Sequence, residues 1–142
     1  MEDRPFTNCQ EMIMDKFKSI FLGLEIAYGQ YQPGERGDNG KQKGKAFIVR
    51  GQVTDELWSN HLAGKGPALG IIPINEDNSC RWGCIDIDEY NFDHTSFIKS
   101  IRDHKLPLIV CRSKSGGAHV FLFTKENIPA SLMQSKLKEM AI

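Results

Sequence analysis

The chain has 142 residues, 40% of them hydrophobic and 25% charged, with 13 Gly and 6 Pro, which suits one globular domain spanning residues 1–142. Eighteen basic residues balance eighteen acidic ones, excluding the overall basicity that by itself announces nucleic-acid binding. The start, MEDRPFTNCQEM, has no basic stretch leading into an apolar one, and no run approaches the ~18 apolar residues of a membrane span, so a cytoplasmic protein without membrane contact is expected, with Cys9, Cys80, Cys84 and Cys111 as thiols.

Ile13, Phe17, Ile20, Phe21 and Leu24 recur at helical spacing, and Thr7 with Gln10 offers a capping box, so the first element is a helix whose stripe enters the core. Strands over LEIAYGQY (24–31) and AFIVRG (46–51) flank QPGERGDNGKQKG (32–44), whose Gly and charge predict a mobile loop. Thr54 caps a short helix carrying Leu57, Trp58 and Leu62, and HLAGKG follows as a turn in which His61 and Lys65 need no further role. ALGIIPI (68–74) and RWGCIDID (81–88) read as two strands joined by the polar NEDNS, a hairpin with a five-residue loop.

Asn91 or Asp93 starts a helix in which Phe97, Ile98 and Ile101 face inward, while His94 and His104 face solvent. Pro107 opens the strand PLIVC, the loop RSKSGG follows, and AHVFLFT (118–124) completes a second hairpin. Pro129 opens a last helix striped by Leu132, Met133, Leu137 and Met140. Helices interspersed with hairpins argue for an α+β fold.

Charge is unevenly spread along the chain. Residues 31–52 carry Arg36, Lys41, Lys43, Lys45 and Arg50 against two acids; residues 76–93 carry six acids against Arg81; residues 99–114 carry five cations against Asp103. In the acidic segment Asp86 and Asp88 stand two apart in a strand pattern, so both point to one face while Ile85 and Ile87 point to the other. Adjacent carboxylates repel unless a cation lies between them, and hard oxygen donors suit Mg²⁺ or Mn²⁺, which are held by one or two carboxylates plus substrate phosphates. A solvated edge pair would read the same way. Cys80 and Cys84, with no second pair of matching spacing, do not make a zinc site.

The second hairpin offers phosphate-binding groups. Gly116 and Gly117 permit close backbone approach, with Ser113 and Ser115, Arg112 and Lys114, and His119 beside them. A glycine-rich turn with a hydrogen-bonded core histidine fits equally well at this point. His119, Phe121 and Phe123 share one strand face, Val120 and Leu122 the other.

GCIDIDEY followed by PLIVCRSKSGGAHVFLF resembles the archaeo-eukaryotic primase superfamily, in which a hydrophobic strand bearing Asp-x-Asp or Asp-x-Glu is motif I and a histidine before a hydrophobic strand ends motif II. HLAGKGPALGIIPI resembles the segment that precedes motif I in primase-polymerase domains of phage and mobile elements, including those of TOTE conflict systems, so the likeness covers residues 25 to 125. It implies a primase-like core of RRM-like hairpins with packed helices. It also implies template-directed primer synthesis or extension in DNA replication, with (d)NTP, a single-stranded DNA template, a primer and an associated helicase as partners, in a bacterial or phage-infected cell. Asp86 and Asp88 would be the metal ligands and catalytic carboxylates. His119, with Ser115 and Lys114, would hold the triphosphate, and two divalent ions would activate the primer hydroxyl and stabilise the departing pyrophosphate.

Two positions depart from the family pattern. Motif II often reads Ser-x-His, but position 117 is Gly, so a serine contact falls to Ser115 or Ser113. A third carboxylate, motif III, is expected on a later strand, yet Glu126 and Glu139 are the only acids after His119, one expected in a turn and one in the last helix. The expectation is therefore a core that ends before motif III. Two rival readings stay open: a non-catalytic nucleotide- or nucleic-acid-binding module of the same fold, and a Mg²⁺-dependent nuclease, which needs paired carboxylates but no triphosphate cradle.

Overall fold

The structure, a computed structural model, describes residues 7–35, 37–38 and 43–141. By the density of its internal contacts the chain divides into two compact units, residues 1–76 and 77–142, where composition alone led to one domain. Together they hold four helices and two three-stranded antiparallel sheets among the described residues, an α+β fold consistent with a primase-like core.

In the first unit α1 (Asn8–Ile20) starts after Thr7, whose N–H donates to Gln10 Oε1 (3.1 Å) and whose carbonyl accepts from Gln10 N–H (2.9 Å). The helix is where periodicity placed it, but its stripe is not core. Ile13, Phe17 and Ile20 are 40–47% exposed and no residue of α1 is buried. Its neighbour is another helix, α2 (Asp55–Leu62), and one helix covers only part of an apolar stripe. Thr54 Oγ1 accepts from Leu57 N–H (3.3 Å) to cap α2, and Trp58 is buried.

Strands β1 (Ala27–Gln32) and β2 (Lys45–Arg50) form the expected antiparallel pair, with Gly29 opposite Ile48. Of the loop between them, expected to be mobile, Arg36 and residues 39–42, including Lys41, lie outside the described residues. The hairpin expected between residues 68–74 and 81–88 does not form. Instead β3 (Ala68–Gly70) pairs with the other edge of β1, Gly70 opposite Gly29. The two glycines face each other across the pair, and a Cβ on Gly70 would stand 3.5 Å from Gly29 Cα, an ordinary contact distance. Pro73, with no N–H to donate, cannot extend a ladder toward the acidic strand.

The second unit runs β4 (Ser79–Ile87), α3 (His94–Asp103), β5 (Ile109–Arg112), β6 (Ala118–Pro129) and α4 (Ala130–Met140). The sheet order is β4-β6-β5, so β6 is central, and β5 with β6 is the hairpin read from the sequence. Ala118, Val120 and Leu122 on β6 are buried at 0, 1 and 7% exposure. Ile101 of α3 packs on the first two, and Met133 of α4 on Leu122 and Cys80, so both helices cover one sheet face. Gly83 makes room for α4: a Cβ there would lie 2.7 Å from Leu137 Cδ1 and 2.8 Å from Met133 Cγ.

An irregularity between Cys80 and Trp82 shifts the register, so that Cys80 pairs with Ile128 but Trp82 with Phe123. The extra residues of β6 are pinned by the Arg81 guanidinium donating to Lys125 O and by the Thr124 hydroxyl, 3.1 Å from Arg81 O and 2.7 Å from Glu126 O. Such bulges re-aim side chains. Here Cys80 is buried with α4 residues while Trp82, Cys84 and Asp86 take the opposite face. The bulge also places Glu126 within β6 rather than in a turn.

Asp93 caps α3 by accepting from Ser96 N–H (3.0 Å) and Ser96 Oγ–H (2.7 Å). These bonds hold its carboxyl below the usual value of 3.8. A group whose folded value is lowered contributes its full stabilisation above the unfolded value and loses it as pH falls through the folded one. We expect the melting-temperature difference between the parent and Asp93→Ala to be constant from about pH 5 to 7 and to shrink below about pH 4. Thermal unfolding followed by circular dichroism across that range measures it.

Candidate active site

The register of the second sheet brings the expected chemistry together. Asp86 on β4 pairs with His119 on β6, and Cys111 on β5 pairs with the other side of His119. Directly opposed residues of antiparallel strands share a face. His119 Nε2 lies 3.5 Å from Asp86 Oδ1, the side chains 45% and 71% exposed respectively. A pair that wet adds little to stability, so folding does not account for a carboxylate opposite an imidazole here.

Asp88 follows just past the end of β4. The Ser115 hydroxyl donates to Asp88 Oδ1 at 3.4 Å, long against the ~2.7–2.8 Å of a strong O–H···O bond. Ser115 Oγ is also 3.1 Å from Ser113 Oγ, and Ser113 is buried while Ser115 is exposed. Ser113 therefore braces the turn from within, and Ser115 is the hydroxyl presented beside the carboxylates.

Backbone geometry fixes this turn. Ser113 N–H donates to Gly117 O (3.0 Å) and Gly116 N–H to Ser113 O (3.1 Å), with Gly116 at φ +94°, where a side chain is strained. A Cβ on Gly117 would stand 1.9 Å from Ile87 O and 3.3 Å from Glu89 N, so the turn runs against the backbone that carries Asp88. That contact explains why glycine occupies the position where a serine was the family expectation.

His94 was read as solvent-facing. It is half-buried, its Nε2–H donates to Gly117 O at 2.9 Å, and its ring meets Phe92 edge-on at 5.0 Å. It positions the turn from α3. Nothing local in the sequence signals a bond between residues 23 apart. His104, as expected, is exposed, its Nδ1 2.8 Å from Ser100 O, and His61 Nδ1 accepts from Leu69 N–H at 3.0 Å, a structural role.

The remaining predicted residues divide. Lys114 is exposed in the turn. Arg112 is exposed at the end of β5 but pairs with Ala118, which puts it in register with the helix-covered face rather than with His119. Exposed Cys84 and Cys111 are free thiols on the His119 face, and Cys80 is buried on the other. Burial pushes the Cys84 thiol up, with Asp86 and Cys111 adding to the shift. Glu126 is exposed in the irregular stretch of β6, and Glu139 pairs with Lys136 at 2.9 Å on α4.

Asp86 and Asp88 offer exposed hard oxygen donors beside a hydroxyl and an imidazole, a set that fits a Mg²⁺ or Mn²⁺ ion arriving with a polyphosphate. It does not form a cage of protein ligands: among the described residues no group of three or more His, Cys, Asp or Glu is placed to hold a metal ion.

Gly117→Ala should push the turn off β4 and cost about 1–3 kcal/mol, since the atom it meets is backbone and cannot rotate away. Hydrogen exchange should accelerate at residues 112–119 while α4 keeps its protection; unchanged exchange in the turn would contradict this account.

A family model described as the TOTE conflict system, archaeo-eukaryotic primase domain, matches residues 30–141. No curated protein matches the chain. No helix among the described residues is long and apolar enough to cross a membrane.

Proposed function

This chain belongs to the archaeo-eukaryotic primase domain family of TOTE conflict systems, whose function at family level is primase-like nucleotidyl transfer, and we propose that the β4–β6 face binds a divalent ion and a nucleoside triphosphate for template-directed primer synthesis or extension. The observation that carries this reading is the convergence of two motifs 27 to 33 residues apart in sequence: Asp86 opposite His119, with the Ser115 hydroxyl at Asp88.

On this reading Asp86 and Asp88 hold Mg²⁺ or Mn²⁺, which would neutralise charge at the reacting phosphoryl group. His119 and Lys114 bind the triphosphate by charge-assisted hydrogen bonds, and Ser115 adds direction. The amides of Ser113 and Gly116 are engaged inside the turn and keep its shape. A nuclease would have no need of a triphosphate cradle, whereas a nucleotide-binding module without catalysis would.

Mn²⁺-dependent dNTP binding, measured by calorimetry, should weaken about tenfold or more in Asp86→Asn, Asp88→Asn and His119→Ala, all at exposed or half-exposed positions where the fold should persist. Parent-like affinity in all three, or equal affinity for dNMP and dNTP, would sink the assignment. Binding and catalysis are separable by primer extension. On this reading Asp86 and Asp88 are the two carboxylates that hold metal among the described residues, which leaves a second ion short of protein oxygens, so residues 1–142 should extend a primer poorly. Robust elongation that survives Glu126→Gln would show that no third carboxylate is required.

A further inference from the structure

We infer that the sheet face beyond His119 seats the sugar and base of the bound nucleotide, with Phe121 and Ile109 as its floor; the inference rests on the nucleotide site proposed above. The rows of the ladder state the geometry. One row is Asp86, His119 and Cys111, and the next, about 6.8 Å away, is Cys84, Phe121 and Ile109. The His119 and Phe121 rings are 6.2 Å apart, centroid to centroid, meeting edge to face.

The two rows differ sharply in chemistry. At the turn end stand Asp88, Ser115, Asp86 and His119, all polar. Beyond them the face is apolar: Ile109 is 55% exposed on the edge strand, Phe121 is half-buried in the middle strand, and the exposed thiols of Cys84 and Cys111 flank them. Phe121 is flanked on the same face by Phe123, stacked on it (5.8 Å, 25° between planes), and by the buried Trp82 (6.1 Å).

A nucleoside triphosphate has the same polarity along its length, an anionic chain followed by a sugar and a flat aromatic ring. With its phosphates at Ser115 and His119, its sugar and base extend along the ladder toward Phe121 and Ile109. Apart from the weakly bonding Cys84 thiol, this row carries no side-chain donor or acceptor. The face therefore holds any base by its π surface and does not read its identity; purines should bind somewhat tighter than pyrimidines.

The native thiols report on this face. The full chain is labelled with N-ethylmaleimide at about pH 8.5, and the labelling rate of each cysteine is followed by peptide mass spectrometry. Labelling is compared with no ligand, with dATP and Mn²⁺, and with inorganic tripolyphosphate and Mn²⁺, after calorimetry has set both ligands to saturation. Exposed Cys9 on α1 is the internal control. The expected result is protection of Cys84 and Cys111 by dATP, little protection by tripolyphosphate, and no change at Cys9. In parallel, Phe121→Leu and Ile109→Ala should weaken dATP about tenfold and a few-fold respectively, leaving tripolyphosphate affinity at the parent value.

Equal protection by the two ligands, bound dATP that protects neither thiol, or variants that lose both ligands alike would overturn the placement of the base while leaving the phosphate site standing. Failure of both ligands to bind the parent would remove the nucleotide site itself, and this inference with it.

Discussion

The second unit depends on the burial of alternate residues along its central strand. Ala118, Val120 and Leu122 are covered by α3 and α4, and β6 is flanked on both edges, so its register is locked from two sides. A slip of one residue would move Val120 to the outer face and bury His119. Burying a side chain such as Val120 is worth about 1.5–3 kcal/mol, whereas an exposed polar contact such as that of Asp86 with His119 adds about 0–1 at most. The apolar face therefore decides the alignment, and the polar face inherits it.

A second constraint acts through backbone. Gly117 lies against Ile87 and Glu89, and the His94 imidazole holds the Gly117 carbonyl from the start of α3. Asp93 fixes where that helix begins, one residue earlier, through Ser96. One short stretch, Asp88 to His94, thus carries a carboxylate, the helix cap and the anchor of the opposing turn. The position of Ser115 relative to Asp88 follows from that stretch, not from the weak 3.4 Å bond between them.

Much of this was legible because it was local. The four helices lie where periodicity and caps put them; Thr7, Thr54 and Asp93 each stand immediately before a helix. The hairpin around Gly116 and Gly117 and the alternation of His119 with Val120 came from period and turn chemistry alone, and together they placed the candidate site. What failed was non-local. β3 pairs with β1 rather than β4, bringing together Gly29 and Gly70, 41 residues apart in sequence, and periodicity carries no information about partners. The α1 stripe has the right spacing for a core, yet spacing does not say how much surface waits to cover it. His94 was misjudged for the same reason: a bond across 23 residues sets its surroundings.

The bulge at Cys80 to Trp82 shows why the functional face costs the fold so little. Without it, strict alternation would put Cys80 and Trp82 on one face, and the strand would offer α4 either a large indole or nothing. With it, Cys80 fits beneath Met133, Gly83 leaves room for Leu137, and Trp82 supports Phe121 on the other side. The sheet then offers the helices aliphatic side chains and the small Cys80, while Trp82, Phe121, His119, Asp86 and two further thiols collect opposite. A sheet so divided keeps its stability on one face and its chemistry on the other. Because the bulge separates the two at the level of register, side chains on the outer face can be exchanged without changing what α3 and α4 bury.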